Sequence, residues 1–206
     1  FEDNFEISIL GKGGHSSMPE KVIDALVIGA KIVCDLQSIV SRTIAPSEHA
    51  VVSVTDFSTD GARNVIASQV SITGDCRGFE KHISESIRIR MEAIVRANCD
   101  AYGADYRFDY STSFVPLINN PEHAAVCAKV ANTLAGATAD AEFGRVSFSE
   151  DFAQMLNCKP GAYILMGNGQ GHENHGQPLH NPSYDFNDQA LSFGVEYWCA
   201  LARYLP

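Results

Sequence analysis

Polar and apolar residues alternate at the start of the chain. Phe5, Ile7 and Ile9 are separated by Glu6 and Ser8, the period of a half-buried strand. From Lys21 to Arg42 the period changes: Ile23, Leu26, Val27, Ala30, Val33, Cys34 and Val40 recur at helical spacing and predict a long amphipathic helix. The β-branched run from Ala50 to Phe57 and the alternating run from Gln69 to Arg77 predict two further strands. Glu80–Ala101 reads as a second helix, with Ile83, Ile87, Met91, Ile94 and Val95 on one stripe and Lys81, Glu85, Arg88 and Glu92 mostly on the solvated side. Asp105–Tyr110 alternates again, with Tyr106, Phe108 and Tyr110 facing one way. The order β-α-β-β-α-β over residues 1–112 predicts a ferredoxin-like, split-βαβ domain, a four-stranded antiparallel sheet with both helices on one face. Such a sheet has free edges, and edges are covered or paired, often with a second copy.

After Thr112 the pattern changes. Phe114–Pro121 predicts an extended linker, Glu122–Leu134 a helix stopped near Gly136, and Ser149 an N-cap whose following acids, Glu150 and Asp151, suit a first helical turn. Ala162–Met166 is short and wholly apolar, as in a buried parallel strand, and a closing helix is expected from Asn187 to Tyr204. A lone strand cannot make a parallel sheet. The expectation is therefore that residues 113–206 are the tail of a larger α/β domain whose earlier strands precede Phe1.

Composition narrows the partners. The net charge of −10 argues against nucleic acid and anionic membrane surfaces. No apolar run approaches the ~20 residues of a membrane span. The first residues lack the basic start and apolar stretch of a signal peptide. The six cysteines show no Cys-x-x-Cys spacing, and several lie in periodic apolar segments, so a reducing, cytoplasmic setting is expected.

Two stretches carry candidate chemistry. Gly13 and Gly14 are expected to take positive φ and to present His15 on an open turn. The second stretch is Gly167–Asp188, where His172, His175 and His180 stand close to Glu173, Asp185 and Asp188. Neutral imidazole is a common zinc ligand. Pro178 and Pro182 restrict the backbone around His180, which makes it the better candidate; Asp185 is expected as the acceptor that fixes the imidazole tautomer. His172 and His175 read equally well as ligands or as parts of a solvated loop.

Six segments, taken in order, resemble one family: Gly11-Lys-Gly-Gly-His15-Ser-Ser-Met-Pro19, Asn64-Val-Ile, Gly74-Asp-Cys-Arg77, Ser149-Glu-Asp-Phe152, Met166-Gly-Asn-Gly169 and Leu179-His180-Asn-Pro-Ser-Tyr-Asp-Phe-Asn-Asp188. The chain resembles the di-metal amidohydrolases and exopeptidases that include hippurate hydrolases, auxin-conjugate hydrolases, N-acyl-diaminopimelate deacetylases and aminoacylases. The resemblance implies a dimer-forming ferredoxin-like lid at 1–112, followed at 113–206 by the C-terminal part of an α/β zinc-exopeptidase-like catalytic domain. It also implies two divalent ions, zinc or manganese or else nickel or cobalt, with His180 as one ligand. His15 would stabilise the oxyanion in the partner's site, and Asn64, Arg77 and Gly167 would bind substrate. The reaction implied is hydrolysis of the amide bond of N-acyl amino acids by a homodimer.

The family's other ligands and its paired glutamates lie upstream of the lid, and Glu150-Asp151 stands in the wrong place to replace them. These 206 residues alone are therefore expected to be inactive and metal-free at that site. Two other readings remain: a non-catalytic dimerisation or binding module, and a single structural metal on His172, His175 and His180.

Overall fold

The structure is a computed structural model that describes residues 1–146, 148–170 and 175–204. The chain divides into two compact units. The first is Phe1–Leu117 with Ser147–Gln154, and the second is Ile118–Val146 with Met155–Pro206.

The first unit holds a four-stranded antiparallel sheet of β1 (Glu2–Leu10), β3 (Ala50–Thr59), β5 (Gln69–Gly78) and β6 (Asp105–Phe114), in the order β3-β5-β1-β6. A separate two-stranded ribbon joins β2 (Gly14–His15) to β4 (Val65–Ile66). Two helices, α1 (Ala25–Ser38) and α2 (Lys81–Tyr102), pack together and against the sheet. This is the ferredoxin-like arrangement that the pattern predicts.

Alternation decides which sheet face is buried. Phe5, Ile7 and Ile9 of β1 and Val70, Ile72 and Cys76 of β5 meet Ile28, Ile32 and Leu36 of α1 and Ile83, Ile87, Met91 and Val95 of α2 in one core. Tyr106, Phe108 and Tyr110 pack against its rim. Burying a large aliphatic side chain contributes about 1.5–3 kcal/mol, so this continuous cluster is the main source of the unit's stability.

The buried carboxylate of Asp3 crosses the layers. Its Oδ2 accepts from Ser84 Oγ of α2 at 2.6 Å and from the Tyr110 hydroxyl of β6 at 2.8 Å, while Oδ1 finds no partner among the described residues. Gly74 sits where β5 approaches β3 too closely for a side chain. A Cβ there would stand 2.0 Å from the Ser53 carbonyl oxygen and 2.5 Å from the Phe5 ring.

Helix ends differ from the expectation for local reasons. The first helix starts at Ala25, because the Asp24 carboxylate caps it by accepting the backbone N–H groups of Leu26 and Val27. Pro19–Lys21 forms a separate 3-10 turn, and Ile39–Thr43 a π turn. Gly103, at φ 70°, closes α2.

The second unit contains α3 (Pro121–Ala131) and α5 (Gln189–Tyr204), with α4 (Phe152–Cys158) straddling the division between the units. Its core is small: Val130, Tyr197 and Leu201, flanked by Val126, Ala131, Leu134 and Ala200. Ala162–Met166, predicted as a strand, joins no ladder among the described residues. A strand needs a neighbouring strand, and here the Asn119 side chain bonds the backbone of Tyr163. Tyr163 N–H donates to Asn119 Oδ1 at 2.7 Å, and Asn119 Nδ2 donates to the Tyr163 carbonyl at 2.9 Å. Leu165 and Met166 remain exposed. Ser149 is not a helix cap either; its hydroxyl donates to Glu2 at 2.9 Å, and α4 begins only at Phe152.

Candidate functional site

The turn carrying His15 is built by close approach. Neither Gly13 nor Gly14 has the expected positive φ; among the described glycines that conformation belongs to Gly103, Gly136, Gly144 and Gly169. The two glycines are required because a Cβ on Gly13 would lie 2.7 Å from the Ile66 carbonyl oxygen, and one on Gly14 would lie 2.7 Å from Val22 Cγ1. The ribbon β2–β4 pairs His15 with Val65. Ser16 N–H donates to the Asn64 carbonyl at 3.1 Å, so the two lid residues implied by the resemblance stand side by side, both exposed.

Asp60, which sequence reasoning passed over, secures the Asn64 turn. Its Oδ1 accepts from the backbone N–H groups of Ser68 and Gln69, each at 2.9 Å, and its Oδ2 accepts from the Ser68 hydroxyl. These bonds hold its carboxyl below the usual range, the Ser68 hydroxyl contributing most. The Asp-Gly pair at 60–61 was the available signal.

Arg77 lies at the other end of the same sheet. Gln69, where β5 begins, pairs with Leu10, and Arg77 pairs with Glu2. Eight strand residues separate the two ends, about 26 Å at the usual rise. The Arg77 guanidinium is already engaged: Nε donates to Asp75 at 2.7 Å, and Nη1 donates to Glu2 at 2.6 Å and to Ser149 Oγ at 3.2 Å. The strand register could have disclosed both carboxylates, since Asp75 shares its face and Glu2 stands opposite.

In the second unit, the segment with the histidines is tied together by Asn168. Its Nδ2 donates to the carbonyls of His175 at 2.7 Å and Asp185 at 2.8 Å, and its Oδ1 accepts from Asn187 N–H at 2.8 Å. His180 adopts φ 68° and His175 φ 57°, left-handed conformations that cost a non-glycine residue about 1–3 kcal/mol. The backbone around His180 is further turned by Asn181 N–H to Pro178 O at 3.2 Å and Tyr184 N–H to Asn181 O at 2.9 Å. Asp185, expected to orient the ligand imidazole, has its Oδ2 2.9 Å from Nδ1 of His175. Gly167 has open space where a Cβ would be. His172 and Glu173 lie outside the described residues.

Among the described residues, no three His, Cys, Asp or Glu side chains converge on a point that a metal ion could occupy. A catalytic zinc takes about three protein ligands. The described donors, with His180 as the single ligand implied by the resemblance, therefore do not fit a two-ion centre. Nor is any helix among the described residues long and apolar enough to cross a membrane.

Comparison with known proteins agrees with this architecture. Residues 3–103 match the M20_dimer family, the peptidase dimerisation domain. The N-acyl-L-amino acid amidohydrolase of Geobacillus stearothermophilus is 36% identical over 188 residues, which are 89% of this chain and 50% of that protein. A solved protein from methicillin-resistant Staphylococcus aureus superposes with a TM-score of 0.85 at 29% identity, covering 98% of this chain and 50% of that one. A Bacillus subtilis protein described as a dinuclear metal-binding peptidase of the M20 family shares the fold, with a TM-score of 0.76 at 24% identity over 98% of this chain and 49% of that one. The chain spans about half the length of the curated relatives it matches. Residues 3–103 thus match the peptidase dimerisation domain, and nearly all of the chain is similar to about half of an N-acyl-L-amino acid amidohydrolase.

Proposed function

We propose that the chain is the lid, residues 1–112, and the C-terminal catalytic segment, residues 113–206, of a metal-dependent amidohydrolase. The substrate is an N-acyl amino acid, and the product pair is a carboxylate and a free amino acid. The single observation that carries the reading is the His15 turn inside a matched dimerisation domain: an exposed imidazole, stapled through Ser16 to Asn64, on a ribbon separate from the four-stranded sheet.

In this reading His15 donates a hydrogen bond to the acyl oxygen as it gains negative charge, and Asn64, next to it, holds the substrate's carboxylate or carbonyl. Arg77 is the further substrate residue; a substrate carboxylate would take the place of Glu2 or Asp75 on its guanidinium fork. Gly167 leaves room beside the substrate, and His180 supplies one ligand of the two-ion centre, whose remaining ligands come from the other half of the protein. Two divalent ions such as zinc or manganese belong to that whole enzyme. The lid pairs with a second copy to make a homodimer, and the cytoplasm is the proposed compartment.

The test is kinetic. In the intact enzyme, assayed with N-acetyl and N-benzoyl amino acids, His15→Ala is expected to lower kcat by about 100- to 1000-fold, the usual effect of deleting one oxyanion donor, with a much smaller change in KM. Wild-type kcat in that variant removes His15 from the reaction.

A further inference from the structure

Ser17 lies two residues beyond His15 and turns back onto its ring. The Ser17 backbone N–H points at His15 Nδ1 across 3.2 Å, and Ser17 Oγ lies 2.8 Å from the same nitrogen. A backbone amide can only donate, so the nitrogen it faces must present a lone pair. A neutral imidazole has one N–H. With Nδ1 occupied as an acceptor, that proton resides on Nε2, on the far side of the ring. The turn is anchored on both flanks, by Met18 N–H to His15 O at 2.9 Å and by the Ser16–Asn64 bond.

We infer that Ser17 is the positioning residue of His15: it selects the Nε2–H tautomer and turns that N–H outward as a hydrogen-bond donor. The ligand atom that suits this arrangement is an acceptor oxygen, a carbonyl or the oxyanion that forms from it. An ammonium or amide N–H finds no lone pair on the outward nitrogen. This inference rests on the proposed role of His15 for its functional meaning, but its physical content does not. The Ser17 hydroxyl adds a second donor to the one that the backbone supplies, so its removal weakens the selection without unmaking the turn.

The experiment uses the whole chain labelled with 15N in its imidazole rings. Two-bond 15N–1H spectra at a pH where the histidines are neutral report which ring nitrogen is protonated. The His15 signals are assigned by their loss in His15→Gln. Wild-type His15 is expected to show a protonated Nε2 and a bare Nδ1. In Ser17→Ala the ratio of the two tautomers should fall by about two- to tenfold, the worth of one ordinary net hydrogen bond, and Ser17→Thr should restore it. A wild-type His15 protonated on Nδ1, or a ratio unmoved by Ser17→Ala, overturns the inference. The His15→Ala kinetics decide separately whether the donor serves amide hydrolysis, so the two readings fail independently.

Discussion

Single residues here carry specific burdens, and each sets a measurable expectation. Asp3 is a fully buried acid that holds Ser84 and Tyr110 from two different elements. Replacing it by Ala strands both hydroxyls and should lower unfolding stability by about 1–3 kcal/mol in urea titrations; Asp3→Asn, which keeps an acceptor, should cost less. Two other groups are among those that make the stability depend on pH. The Asp60 carboxyl is depressed below its ordinary 3.8 by the bonds it accepts, so its contribution is complete above that value and is lost as pH falls through the depressed one. Asp60→Asn should flatten that acid limb. Burial pushes the Cys76 thiol up to about 12 from 9.0, so the folded state keeps a proton that the unfolded chain releases above pH 9. Stability should therefore decline as pH rises from 9 toward 12, and Cys76→Ala should decline less steeply. Urea midpoints measured at intervals from about pH 3 to about pH 11 check both limbs.

At the scale of elements, the sheet depends on close approach as much as on hydrophobic alternation. Gly74 faces the Phe5 ring and the Ser53 carbonyl with no room for a methyl group. Gly74→Ala should destabilise the first unit by about 1–3 kcal/mol, as overpacking usually does, while Gly167→Ala, where open space receives the methyl, should leave the midpoint unchanged. Most elements were legible because the period of apolar residues is a local property: β1, β5, β6 and α2 all lie within a residue or a few of their expected bounds. Two exceptions had non-local causes. Ala162–Met166 has the composition of a strand, yet a ladder needs a second strand, and none pairs with it among the described residues. Ser149 followed by two acids has the form of a helix start, but Glu2 and Arg77, distant in sequence, claim its hydroxyl.

At the scale of the molecule, the two units are unequally consolidated. The first has a continuous core of strand and helix residues, whereas the second buries only Val130, Tyr197 and Leu201 among its described apolar residues. Trp198 is 61% exposed, Leu179 70% and Val195 63%. Hydrogen exchange should accordingly be slowest in β1, β5 and α2 and faster by orders of magnitude in α3 and α5, because opening a small core requires little free energy. A hydrophobic dye should bind the chain, and the fluorescence should fall when Trp198 and Leu179 are replaced by polar residues. Uniform protection across both units would overturn this view.

The order of the four sheet strands and two long helices in the first unit, the acidic balance and the residue types at His15, Asn64, Arg77 and His180 were set by sequence alone, since periodicity, charge and motif spacing are written locally along the chain. Tertiary structure decided the rest. Side-chain partners depend on which groups the fold brings within hydrogen-bonding range: Ser149 beside Arg77, Asp60 beneath the Asn64 turn, and Ser17 turned back onto the His15 ring. The glycines before His15 make the same point. Their presence was plain, but only the folded ribbon revealed that they serve to admit Ile66 and Val22 rather than to permit a left-handed turn.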